Sequence, residues 1–180
     1  DLAGSYNNAG YFYSVNGQSD KTELYYNKAI EIYEKLAEIN PERFNPDLVV
    51  SYNNAGNFYK EQGQPDKAEL YYQKAIETRE KLAEINPERF NPALANSYND
   101  MGVFYKDLGQ SDKTELYYKK AIEIYEKLAV TNPERFAPDL AGSYNNAGNF
   151  YKNQGQADKA EMYYKKAIEI RENLAEINPE

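Results

Sequence analysis

The chain has 180 residues, with 21 Lys and Arg against 29 Asp and Glu, so its formal net charge is −8. It contains no His, no Cys and no Trp, which excludes Ser–His–Asp and Cys–His catalysis, His or thiolate metal sites and a disulfide framework. The acidic balance argues against nucleic acid as a partner, because binding to phosphates needs a basic surface. No apolar run is long enough to predict a transmembrane helix.

The start of the chain and its carboxylates carry no sign of a targeting segment or of catalysis. The first residue is Asp1, with no initiator Met and no signal-like segment, which is typical of a piece cut from a longer protein or of an engineered one. Glu31, Glu34 and Glu38 are spaced as on an exposed helix face, and nothing marks a pocket that would raise the pKa of one of them. We expect a soluble protein without enzymatic activity, cofactor or metal, and located in the cytoplasm rather than secreted.

The sequence repeats itself with a period of 46 residues. Of the first 42 columns of the repeat, 24 are identical in all four copies. The copies are 1–46, 47–92, 93–138 and a shorter 139–180. Near-copies of this kind form one architecture, so we predict a single array over residues 1–180.

Each copy is predicted to form two helices. In the second copy, Asn45 reads as an N-cap and Pro46 as the first helical position, and Gly63 ends a helix of about 17 residues. A second helix then runs over residues 65–86, where Pro87 ends it. Residues 87–93 are predicted to be a linker, which Phe90 anchors as an apolar side chain.

The apolar pattern predicts how these helices pack. Apolar residues cover a wide arc of the second helix, so that helix needs neighbours on more than one side, which stacked antiparallel pairs provide. The predicted fold is all-α: a right-handed α-solenoid of four stacked helix-turn-helix repeats. Gly10, Gly56, Gly102 and Gly148 lie inside first helices, where glycine costs about 0.5–1 kcal/mol relative to alanine. They therefore predict a close approach of the two helices of each pair.

Two runs of the second copy resemble the tetratricopeptide repeat. Tyr52-x2-Ala55-Gly56-x2-Tyr59, followed by Ala68-x3-Tyr72, is similar to the family pattern W-x2-L-G-x2-Y and A-x3-F. Tyr replaces the family's Trp, and the second helix continues about two turns, roughly 10 Å, beyond the family's usual proline. Such long repeats are similar to the kinesin light chain type, whose L-N-N-L and A-L-E-I-R-E-K runs correspond to 52–55 and 75–81.

The first helix carries a polar stripe opposite its apolar one. The resemblance implies that this stripe faces a concave groove, because first helices line the groove in tetratricopeptide proteins. A carboxamide carries both a donor and an acceptor, so a ladder of Asn side chains pairs with the main chain of an extended peptide, and the neighbouring Lys side chains favour carboxylates. The predicted peptide-binding residues are Asn7, Asn8, Tyr11, Asn53, Asn54, Asn57, Lys60, Asn99, Asp100, Lys106, Asn145, Asn146, Asn149 and Lys152.

Other roles for these asparagines stay open, since recent duplication alone would make the copies alike. The Asn7 column either contacts a peptide, bonds to the next hairpin or is plain solvated surface. The predicted function is accordingly a protein–protein interaction module that binds an extended peptide or protein segment. The alternative is a structural or engineered scaffold that stacks on itself, with apolar Leu2 and Phe12 at one end and Met162 and Ile168 at the other in head-to-tail contact.

Overall fold

The computed structural model describes residues 1–177, and that part of the chain forms eight α-helices and no strand. The second helix of each copy begins 46 residues after the previous one. None of these helices is long and apolar enough to cross a membrane. The helices are α1 (Leu2–Val15), α2 (Ser19–Ile39), α3 (Pro41–Glu61), α4 (Pro65–Ile85), α5 (Pro87–Asp107), α6 (Ser111–Thr131), α7 (Pro133–Asn153) and α8 (Ala157–Ile177).

The helices form two compact units, one from Asp1 to Phe90 and one that begins at Asn91. In the first unit α1 packs against α2 and α3 against α4, α2 packs on α3, and α1 also touches α3. In the second unit α6 packs on α7 and α7 on α8, and the hydrophobic core draws side chains from α5 as well. Consecutive helices therefore pair and stack within each unit, as the sequence predicts for a solenoid.

The start of the first helices differs from the prediction. Residues 87–93 are not a linker: α5 begins at Pro87, just as α3 begins at Pro41. Asn40 caps α3, because its Oδ1 accepts a hydrogen bond from the Arg43 backbone N–H at 3.2 Å. Pro46 then lies inside α3, where it removes only the bond to a carbonyl in the first helical turn. Phe90 is buried, but as a residue of α5 and not as the predicted anchor of a linker.

The close approach that the helix glycines predict is confirmed. A β-carbon on Gly10 would lie 2.5 Å from Cδ1 of Tyr26, and one on Gly56 would lie 2.6 Å from Cε1 of Tyr72. In each of these hairpins a tyrosine ring of the second helix therefore packs directly against the backbone of the first. Because glycine has no side chain, the tyrosine ring of the second helix reaches the surface of the first helix.

Tyrosine is the main large core residue, and its hydroxyl reaches the edge of the core. The Tyr52 hydroxyl donates to Glu34 at 2.6 Å, and the Tyr59 hydroxyl donates to Glu23 at 2.7 Å. Burial, followed by these hydrogen bonds, raises the pKa of both phenols. Each tyrosine ring is buried, while its hydroxyl oxygen is hydrogen-bonded to a carboxylate. Tyrosine can therefore occupy a core position that would otherwise take a larger or wholly apolar residue.

Candidate functional site

A groove of about 380 Å³ opens between α1 and α3 of the first unit. The side chains from α1 are spaced by three and four residues and so lie on one face of that helix, as do those from α3. Three of the predicted peptide-binding residues, Tyr11, Asn54 and Asn57, are among those that line it. The complete lining is Tyr11, Ser14, Val15, Tyr26, Asn54, Asn57, Phe58 and Glu61.

The floor of the groove is aromatic. Tyr26 from α2 and Phe58 from α3 are only 4% and 5% exposed, and their rings meet edge to face with centroids 6.4 Å apart. Tyr26 reaches the floor because Gly10 has no side chain to hold its ring away from α1. The floor is thus fixed by core packing, which keeps the groove open without a ligand.

The hydroxyl of Tyr26 has no hydrogen-bond partner among residues 1–177. Burial, with smaller contributions from Glu61 and Tyr11, raises the pKa of Tyr26 to about 12, so the phenol is neutral at neutral pH. The equivalent Tyr72 differs, because its hydroxyl donates to Oδ1 of Asn57 at 2.6 Å. In the first repeat, Tyr11 occupies the position equivalent to Asn57, and it accepts no hydrogen bond from the Tyr26 hydroxyl.

The same alternation occurs in the second unit. The Tyr164 hydroxyl donates to Oδ1 of Asn149 at 2.8 Å. Tyr118 has Val103 in the place of that asparagine, and burial, followed by Asp107, raises its pKa to about 12. Repeats two and four therefore satisfy this phenol themselves, whereas repeats one and three do not.

Asn7 and Asn99 form hydrogen bonds to the next repeat. Asn7 is 8% exposed, and its Nδ2 donates to Oγ of Ser51 on α3 at 2.7 Å. The Ser51 hydroxyl donates in turn to the Asp47 carbonyl at 3.0 Å, which fixes the direction of the first bond. Asn99 and Ser143 repeat this contact at 2.7 Å. These are the bonds to the next hairpin that the sequence leaves open as an alternative role, and Asn7 lies between helices rather than on an open face.

The remaining predicted residues lie at varied depth. Half-buried residues are Asn53, Asn54, Asn99, Asn145 and Asn146, and exposed ones are Asn8, Tyr11, Asn57, Lys60, Asp100, Lys106, Asn149 and Lys152. Lys60 does not line the groove, and Lys106 lies 4.0 Å from the Asp107 carboxylate. The exposed residues are accessible to a peptide, but only Tyr11, Asn54 and Asn57 of the predicted set line the groove.

Sequence reasoning missed five groove residues: Ser14, Val15, Tyr26, Phe58 and Glu61. Tyr26 and Phe58 read as ordinary core positions, because they recur in every copy. The signal for Tyr26 was the column of Tyr11, which alternates between asparagine and other residues from copy to copy. Within residues 1–177 no cluster of acidic side chains is arranged to hold a metal ion.

Family models described as tetratricopeptide repeats match residues 1–81, 94–133 and 141–174. No curated protein matches the sequence significantly. These three matches together cover most of the chain.

Solved structures with a similar fold include BtubC (BKLC) from P. vanneervenii, at 26% identity and a TM-score of 0.72. The alignment covers 99% of this chain and 65% of BtubC. Aspartyl phosphate phosphatase F from Bacillus subtilis matches at 19% identity and a TM-score of 0.69, over 98% of this chain and 43% of that protein. The N-terminal domain of stress-induced protein-1 from C. elegans has 19% identity and a TM-score of 0.52, with 73% and 95% covered. This chain therefore spans less than two thirds of the first two proteins.

Proposed function

Because the chain belongs to the tetratricopeptide repeat family, we propose that it is a protein-interaction module that holds an extended peptide or protein segment against its first helices. The groove between α1 and α3 carries this proposal, since it joins Tyr11, Asn54 and Asn57 over a fixed aromatic floor. Its volume of about 380 Å³ lies within the range of ligand-binding clefts.

The amide groups at the groove suit a peptide main chain. Oδ1 of Asn57 accepts the Tyr72 hydroxyl, which leaves its Nδ2 group to donate to a peptide carbonyl. Asn54 adds a second carboxamide one helical turn earlier on α3. Contacts to main-chain atoms hold a segment whatever its side chains, so specificity has to come from the other groove residues.

A peptide array tests this function. We compare the wild-type chain with the double variant Tyr11→Ala and Asn54→Ala, which removes two groove side chains and leaves the Asn7–Ser51 bond intact. The matched control is Leu24→Ala with Asn173→Ala, two exposed side chains outside the groove. We expect the groove variant to lose array binding and the control to keep it, with equal helicity by circular dichroism. Equal binding by both variants, or none by the wild type, would contradict the proposal.

The exposed ends of the array favour a second candidate function, head-to-tail self-association. Phe12 is 58% exposed, whereas the equivalent Phe58 is 5% exposed and packs on Tyr26. Ile168 is 53% exposed, whereas the equivalent Ile76 is 6% exposed. A second copy would bury its Phe12 on this copy's Tyr164, as Phe58 is buried on Tyr26, and a contact of this kind forms open chains of molecules.

Sedimentation over a concentration series tests self-association. We expect the mass to rise with concentration, and Phe12→Lys to abolish the rise. Leu24→Lys is the control, because Leu24 is 48% exposed on another face. A constant monomer mass at every concentration would rule the contact out.

A further inference from the structure

We infer that the groove of the first unit recognises one arginine side chain of the bound segment. This inference rests on the proposed peptide-binding function and adds the side-chain class that the groove selects. Three features of the groove carry it: a carboxylate without a salt bridge, a phenol hydroxyl without a hydrogen-bond partner among residues 1–177, and an exposed aromatic ring.

The carboxylate is that of Glu61, the one charged residue among those that line the groove. Glu61 is exposed and forms no salt bridge with any of residues 1–177. The facing helix α1 contains no charged side chain at all. The groove lining therefore carries one negative charge that forms no salt bridge among residues 1–177, and a cationic ligand group complements it.

The phenol is that of Tyr26. Its side chain is more than nine-tenths buried, yet its hydroxyl is left without the asparagine partner that Tyr72 finds in Asn57. Within residues 1–177 only Oδ1 of Asn7 and of Asn99 are buried atoms without a partner, so water reaches the Tyr26 hydroxyl at the groove, and a ligand donor can replace that water. A phenolic oxygen accepts an N–H donor, which a guanidinium supplies.

The ring is that of Tyr11, which is 66% exposed at the groove. A planar guanidinium stacks on an aromatic ring while its N–H groups bind a carboxylate, whereas a lysine ammonium is a compact, strongly hydrated charge. One guanidinium can therefore bind three groups: the Glu61 carboxylate and the Tyr26 hydroxyl as hydrogen-bond acceptors, and the Tyr11 ring as a stacking surface. This combination favours arginine over lysine.

The second unit provides an internal comparison. In the equivalent columns Asn153 replaces Glu61, Val103 replaces Tyr11, and Lys106 replaces Ser14. Lys106 lies within 4.0 Å of Asp107, so the one acidic side chain in those columns already has a cation beside it. These columns have lost the free carboxylate and the aromatic ring, so the arginine preference belongs to the first unit.

Protein-observed NMR with two isosteric peptides tests the inference. The probes are Ac-GSGSRGSGS-NH2 and the same peptide with citrulline, which keeps the shape and hydrogen-bonding plane of arginine but is uncharged. We expect the arginine peptide to bind about tenfold more tightly and to shift the amide signals of Tyr11, Asn57 and Glu61. Glu61→Gln should remove most of this preference, while Glu84→Gln, an exposed change on α4, should keep it.

The possible results separate this inference from the proposed function. If both peptides shift the groove signals and bind with equal affinity, the arginine preference is overturned and peptide binding is not. Shifts confined to the second unit, or a preference that survives Glu61→Gln, would also overturn it. If neither peptide shifts any signal at millimolar concentration, the inference fails, and the peptide array decides separately whether the chain binds peptides at all.

Discussion

A β-carbon placed on Gly102 would lie 2.5 Å from both Cδ1 and Cε1 of Tyr118. Tyr118 is only 2% exposed, so its ring has no room to move away. By contrast, a β-carbon on Gly142, a helical glycine of the same unit, would meet no atom within 4 Å apart from its chain neighbours and the adjoining backbone of its own helix. Glycine is thus required for packing at position 102, whereas at position 142 it only makes the helix less stable than alanine would.

Alanine substitution at the two positions should change stability in opposite directions. We expect Gly102→Ala to lower the free energy of unfolding by about 1–3 kcal/mol through overpacking. Gly142→Ala should raise it by about 0.5–1 kcal/mol, because alanine is the better helix former. Gly148→Ala should fall between them, since its contact, Tyr164, is only half-buried and yields more easily. Urea denaturation measures all three, and effects of the same sign at Gly102 and Gly142 would refute this explanation.

The bond from Asn99 to Ser143 should couple adjacent repeats. We expect Ser143→Ala to cost about 1–2 kcal/mol of stability, because it leaves the half-buried Nδ2 group of Asn99 without its acceptor. Asn99→Ala should cost about 0.5–1.5 kcal/mol, because the bond is lost while Ser143 still donates to the Asp139 carbonyl. The double variant should cost less than the sum by about 0.5–1.5 kcal/mol, which a double-mutant cycle measures. Asn173→Ala, on an exposed part of α8, is the control and should change stability by less than about 0.5 kcal/mol. A cycle without coupling would show that the bond does not stabilise the fold.

Alkaline pH should unfold the chain. The pKa of Tyr26 and that of Tyr118 are raised from 10.0 to about 12, chiefly by burial. An unfolded tyrosine ionises first, so the stability that these phenols contribute is complete below pH 10 and is lost as the pH rises through about 12. Helicity and tyrosinate absorbance, followed together, should change in this window. The combined Tyr26→Phe and Tyr118→Phe variant should lose stability less steeply, by up to about 1.4 kcal/mol per pH unit for each phenol removed, and an unchanged slope would contradict the assignment.

The substitution Tyr11→Asn should make the first repeat resemble the second. The new asparagine gives the Tyr26 hydroxyl an acceptor, as Asn57 does for Tyr72, so we expect stability to hold or rise by up to about 1.5 kcal/mol. The same change removes the stacking ring and occupies the phenol, so the preference for arginine over citrulline should fall. Thermal unfolding and the NMR titration give the two readouts. A stable variant with the full arginine preference would show that neither Tyr11 nor the free phenol selects the ligand.

The helices could largely be predicted from the sequence, because apolar periodicity and glycine stops are local signals. The start of the first helices could not, since Asn40-Pro41 and Asn45-Pro46 are both start signals. The fold uses the earlier one: Asn40 caps the helix, while Asn45 is 8% exposed within it. The choice depends on packing against neighbouring helices, which the local sequence does not contain.

The candidate site was predicted only in part, for a related reason. Asn7 and Asn8 are adjacent polar residues on one helix, yet Asn7 is buried against Ser51 and Asn8 is exposed. Their side chains lie about 100° apart around the helix axis, and only the position of the next repeat determines which of the two that repeat covers. Glu61 was missed for the opposite reason: it is charged and exposed, so nothing in the sequence distinguished it from other surface carboxylates.

The alternation of paired and unpaired phenols implies a rule for how such an array can grow. Tyr72 and Tyr164 are satisfied by asparagine, whereas Tyr26 and Tyr118 are not. Insertion of two repeats at once keeps the two kinds of repeat in alternating order. Insertion of a single repeat sets two of one kind side by side and breaks the alternation. Only duplications of an even number of repeats therefore preserve the alternating order of paired and unpaired phenols.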